Sequence, residues 1–171
     1  MEHDKKIFES ISQESYDATD KPFDFLEEGS KTALVCVADP SVRAEIVTSL
    51  SARDYLVTEP GSAREALKRM RFHEYQLVAV DEDYETDDPN DNIILRYINT
   101  LSIGIRRNIY VLLLSKRFRT MDNMAAFNKS VNLIVNFKNL GDFEAILQGG
   151  TSDHDAFYHV FKDSLRKTGK V

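Results

Sequence analysis

The stretch Tyr75-Gln76-Leu77-Val78-Ala79-Val80-Asp81 decides the fold. Four apolar residues in a row, two of them β-branched, leave neither face of a strand for water, so helices must cover both sides, as in a parallel sheet. The flanking segments agree. Upstream, Ser62 offers cap chemistry to a helix that would bury Ala63, Ala66, Leu67 and Met70. Downstream, Ile93, Ile94, Leu95, Tyr97 and Ile98 mark another helix, followed by the apolar run from Ile109 to Leu114. Further out lie runs at Ala33 to Val37, Tyr55 to Thr58 and Val131 to Val135. The alternation predicts five βα units. Their helices start after Asp39-Pro40-Ser41, near Ser62 and Ile93, around Met121, Met124, Ala125 and Phe127, and at Phe143 to Leu147. Right-handed crossovers make such a chain doubly wound, with its chemistry at the carboxyl ends of the strands.

Residues 32–148 therefore read as one domain. Residues 1–31 are polar and too sparse in apolar groups for a core, so a flexible lead-in is expected. Ile7, Phe8 and Ile11 are nevertheless spaced for a short helix that docks on the domain or on a partner. Gly149-Gly150 should close the fifth helix. Residues 149–171 then form an added amphipathic helix with a basic tail, in which Phe157, Phe161 and Leu165 recur every four residues beside Tyr158.

The 171 residues are 42% hydrophobic and 29% charged, in keeping with a folded globular chain. The net charge of -6 argues against non-specific nucleic-acid binding, and about -5 of it falls on residues 1–31, which hold nine acids and four lysines. No signal segment or membrane span is read, and a cytoplasmic location is the natural expectation. A lone Cys36 cannot form an internal disulfide and should pack as a small hydrophobe. His73, His154 and His159 lack ligand-like companions, so surface or packing roles are expected of them.

From Thr32 to Leu147 the chain resembles the receiver domains of bacterial response regulators. The likeness is carried by Leu34-Val35-Cys36-Val37-Ala38-Asp39-Pro40-Ser41-Val42-Arg43, by Asp54-Tyr55-Leu56-Val57 with Ser62-Ala63-Arg64-Glu65-Ala66-Leu67, by Tyr75 to Asp81, and by Leu112-Leu113-Leu114-Ser115. It implies a five-stranded parallel sheet of order 2-1-3-4-5. It also implies that Asp81 stands at the phosphoacceptor position, Ser115 at the switch hydroxyl and Asn136 where the family carries a lysine.

Phosphoryl transfer to a carboxylate gathers negative oxygens and needs a divalent cation and a fixed positive charge. Anchored on Pro40, the resemblance puts the family's acidic pair on Val37 and Ala38, and a shift by one residue puts it on Ala38 and Asp39, so Asp39 and Asp81 are the only candidate Mg²⁺ ligands the resemblance leaves. Lys138 lies two residues beyond the lysine position, about 6–7 Å along an extended chain. The acidic run from Asp81 to Asp91 fails the EF-hand pattern, with Thr86 at its sixth position and Asn92 at its twelfth, and reads as a solvated loop. Lys116, Arg117 and Arg119 form a basic loop after the fourth strand.

Three functions follow as expectations. The leading one is a non-enzymatic pseudo-receiver, a cofactor-free interaction module for a protein partner in bacterial signalling or for a second copy. Its contact candidates are Met121, Met124, Phe127, Phe157 and Phe161. The alternatives are a working phosphoacceptor that uses Asp81 with Mg²⁺, and a small-ligand sensor that uses Asn136, Ser115 and the basic loop.

Overall fold

The computed structural model describes residues 8–11 and 29–169. Strands β1 (Lys31–Cys36), β2 (Tyr55–Thr58), β3 (Leu77–Asp81), β4 (Tyr110–Ser115) and β5 (Leu133–Asn136) form a single parallel sheet in the order β2-β1-β3-β4-β5. Helices α1 (Pro40–Ser51), α2 (Ala63–Phe72), α3 (Ile93–Thr100), α4 (Ile103–Arg106), α5 (Asn123–Lys129) and α6 (Phe143–Lys167) connect and cover it. The doubly wound α/β architecture expected from the apolar runs is the one observed.

Side chains alternate across each strand, so the sheet separates two cores. Ala33, Val35, Ala79, Leu112, Leu114 and Val135 pack beneath Ile46 and Leu50 of α1 and Phe143 and Leu147 of α6. Leu34, Cys36, Val78, Val80, Leu113 and Ile134 face α2, α3 and α5 through Ala66, Met70, Ile94, Ile98 and Ala126. Asp39 caps α1 from the residue before Pro40, its Oδ1 accepting from the Ser41 and Val42 amides at 2.8 and 3.1 Å. Cys36 is fully buried, as a small hydrophobe would be, and burial drives its thiol pKa far up.

One local reading is corrected, and two details are added. Gly149-Gly150 does not end a helix, because α6 runs unbroken for 25 residues from Phe143 to Lys167. The glycine at 150 serves a close approach instead. A Cβ there would lie 2.5 Å from the Tyr110 hydroxyl and 3.1 Å from Leu133, so only a hydrogen lets the helix press onto β4 and β5. The short helix α4 between α3 and β4 was not foreseen from the apolar pattern. On α5 the buried residue is Ala126, whereas Met124 and Phe127 are 70% and 78% exposed.

Residues 8–11 form a helical turn with Ile11 buried. Phe8 meets the Tyr97 ring on α3 with centroids 5.7 Å apart, and Arg71 of α2 donates to the Ile11 carbonyl. The lead-in thus touches the domain at these residues. Ile7 and the flexibility expected of residues 1–7 and 12–28 lie outside the described residues. His73 is hydrogen-bonded with the Thr32 hydroxyl at 2.8 Å, and His154 lies edge-on to Tyr110, so both take structural roles.

Candidate functional site

Pairing within the sheet brings the expected residues to one edge. Asp81 is in register with Leu114 and Ser115 with Asn136, so Asp81, Ser115 and Asn136 stand at the carboxyl ends of three adjacent strands. Asp81 is buried and accepts from the Asp83 amide at 3.1 Å. Burial raises its pKa above the ordinary carboxylate value; the Asp83 amide and the charge of Lys116 oppose the rise, while the charges of Asp83 and Glu82 add to it.

The residue that organises this edge is Glu82, only 2% exposed. Reading residues 81–91 as a solvated loop is wrong at this position. One oxygen of its carboxylate accepts from the Ser115 hydroxyl at 2.7 Å and the Lys116 amide at 2.9 Å. The other takes Arg117 in a fork, Nε at 3.1 Å and Nη2 at 3.0 Å. Ser115 is saturated in turn, since its oxygen also accepts from the amides of Arg117 at 3.0 Å and Phe118 at 3.1 Å. Four donors that would suit an anion at the end of β4 are thus engaged by a carboxylate of the chain itself.

The neighbouring cations are held in the same way. Lys116 Nζ donates to Asp83 Oδ2 at 3.0 Å, and this hydrogen bond is the main cause of its raised pKa. Asn90 accepts from Lys129 Nζ at 2.8 Å, which ties the β3–α3 loop to the end of α5. Asn92 fixes the base of that loop. Its amide donates to the carbonyls of Asp81 and Glu82 at 3.1 and 3.3 Å, while its oxygen caps α3 on the Ile94 and Leu95 amides.

Asn136 has a different task from a cation. Its Nδ2 donates to the Phe118 carbonyl at 2.6 Å, its Oδ1 accepts from the Lys138 amide at 3.0 Å, and its own amide donates to Thr120 Oγ1 at 2.9 Å. It staples the β4–α5 loop to β5. Lys138 joins Lys116, Arg117 and Arg119 around a depression of about 570 Å³, and the cation whose charge acts on Asp81 is Lys116.

A divalent cation does not suit the residues at this edge. The end of β1 presents buried Val37, and Asp39 spends its carboxylate on Ser41 and Val42 of α1, which pulls its pKa down. No cluster of three or more His, Cys, Asp or Glu side chains with metal-holding geometry occurs among the described residues. Glu82 is committed to Ser115, Lys116 and Arg117.

The contact candidates divide. Met121, Met124 and Phe127 of the α5 region and Phe157 of α6 are exposed, and Phe127 and Phe157 line one groove of about 380 Å³. Phe161 instead lies half-buried under the Arg107 guanidinium, 4.5 Å from its ring centroid. Val160, 73% exposed, belongs to the apolar face and was missed. Its spacing three residues after Phe157 was the available signal. Among the described residues no helix is long and apolar enough to cross a membrane. Neither a scan against protein-family models nor a search of curated proteins finds a match to this chain, so its fold and its strand-end geometry stand as the guide to what it does.

Proposed function

We propose that this chain is a receiver-like signalling module that works through protein contacts, without aspartyl phosphorylation. The observation that supports this reading is the Glu82 carboxylate, seated on the Ser115 hydroxyl, the Lys116 amide and the Arg117 guanidinium. In an active receiver the switch hydroxyl must be free to meet a phosphoryl oxygen. Here a phosphoryl group on Asp81 would have to displace a buried carboxylate from the same donors, beside a second carboxylate at Asp83 and without a lysine at position 136. The edge is held in one state. Partners then read a constant surface, and the exposed apolar groups of α5 and α6 are its contact face. We read the module as cytoplasmic, non-enzymatic and indifferent to nucleic acid.

Titration with Mg²⁺ and beryllofluoride, followed by amide NMR, tests this. The amides of residues 81, 115 and 136 are expected to stay in place. Saturable shifts at all three would replace the proposal with a working phosphoacceptor at Asp81.

A further inference from the structure

Beyond Leu147, α6 no longer buries a side chain completely, yet it runs on to Lys167. Residues 151–167 would span about 25 Å. One face of this extension rests on the domain through His154, Tyr158, Phe161 and Leu165, all partly buried. A second face is turned to solvent and consists of Asp153, Phe157, Val160, Ser164 and Lys167. Their spacing of four, three, four and three residues is that of a helix-pairing seam, apolar at its centre, where Phe157 is 79% and Val160 73% exposed, and polar at both ends.

The charges at the ends of the seam specify what covers it. Asp153 and Asp155 stand at the start of the extension, and Arg166 and Lys167 at its end. Asp155 is engaged by Lys162 at 3.0 Å, off the seam, and Lys167 also meets Asp163 at 2.8 Å within its own helix, in an exposed pair that is readily shared. A parallel neighbour of the same sequence would set acid against acid and base against base. An antiparallel one sets each acidic start against a basic end and opposes the helix dipoles.

We propose that the distal half of α6 is a homodimerisation helix that pairs antiparallel with the same helix of a second copy. The two-fold axis passes between residues 157 and 160. Phe157 of each copy rests on Val160 of the other, and Asp153 reaches the Ser164–Lys167 end of the other. Phe127 of α5 shares a groove with Phe157 and Asp153, so the covered surface continues onto α5. This names the occupant of the contact face under the interaction-module reading.

The test uses the full chain. Sedimentation equilibrium across the micromolar range should return a dimer, and Val160→Asp should weaken association by ~100-fold with far-UV circular dichroism unchanged. Orientation is read separately from single-cysteine variants, with buried Cys36 as an inert background. Mixing Asp153→Cys with Ser164→Cys should give the mixed disulfide, and neither variant alone should cross-link efficiently. A monomeric wild type at every concentration, or dominant cross-linking of Asp153→Cys to itself, overturns the pairing. Either result leaves the proposed function standing, because that depends on the strand-end titration.

Discussion

Glu82→Ala removes the acceptor on which the strand-end network converges. The Ser115 hydroxyl is fully buried and the Lys116 amide partly so, and each loses its carboxylate oxygen. Leaving a buried donor unmatched costs about 1–3 kcal/mol. Arg117 can turn to solvent, because its side chain is 40% exposed, so its share of the loss is small, about 0–1 kcal/mol. Deleting Glu82 also relieves the desolvation of a buried charge, which offsets part of the total. The net expectation is a loss of about 2–4 kcal/mol. With a urea dependence of ~2 kcal/mol per molar, the unfolding midpoint should fall by about 1–2 M. Glu82→Gln keeps an oxygen for Ser115 and Lys116 but turns an NH2 donor toward Arg117, which must swing to solvent, for a loss of about 1–2 kcal/mol. Ser115→Ala in the Glu82→Ala background should cost less than in the wild type, since the two share a contact. Urea denaturation of the wild type and these four variants measures all of this. If Glu82→Ala unfolds within about 0.5 kcal/mol of the wild type, the carboxylate is not what holds the edge, and the case against a free switch hydroxyl fails.

Asp81→Asn should stabilise the fold at neutral pH. The folded pKa of Asp81 is raised, so the stability its protonated form supplies is complete below the ordinary carboxylate value of 3.8 and is lost as pH rises through the folded value. The gain from Asn should therefore shrink as pH falls toward that range, a trend that Tm against pH would expose; a pH-independent effect would contradict it. Gly150→Ala should lower stability by about 0–2 kcal/mol, as overpacking against Tyr110 and Leu133 outweighs the better helix propensity of alanine. In a Tyr110→Phe background the same change should cost less, since the nearest crowding atom is gone and only the Leu133 contacts remain; the Tyr110 hydroxyl has no hydrogen-bond partner among the described residues, so its removal costs none. Cys36 should resist a thiol reagent in the native protein and react only at the rate of global unfolding, because it is fully buried with its pKa driven up. Rapid modification under native conditions would refute that placement.

The strands were legible because burial on both faces writes itself as uninterrupted apolar runs, and every run from Ala33 to Val135 became a strand. Helix ends were less so, and the error at Gly149-Gly150 shows why. A glycine pair marks a helix stop when local backbone freedom is the reason for it, but the same residue is required wherever a helix meets a sheet too closely for a Cβ. The distances from position 150 to Tyr110 and Leu133 belong to the second case, and they connect residues far apart in the chain. Nothing within a local window carries that information.

At the strand ends the positions were legible and the partnerships were not. Asp81, Ser115 and Asn136 could be aligned on their strands from sequence order, but the occupant of Ser115 could not. Glu82 follows Asp81 in a run of acids, where solvation is the ordinary outcome, and only the β3–β4 register turns its side chain onto Ser115, Lys116 and Arg117. Glu82 beside Asp81 and the basic pair Lys116-Arg117 after Ser115 were each visible alone. Together they describe a site that supplies its own anion. Under the receiver-like reading proposed above, Asn136 as a loop staple and Glu82 on the Ser115 hydroxyl turn a place for transient charge into permanent structure. This is why the apolar face of α5 and α6, well away from Asp81, is where its partners should be sought.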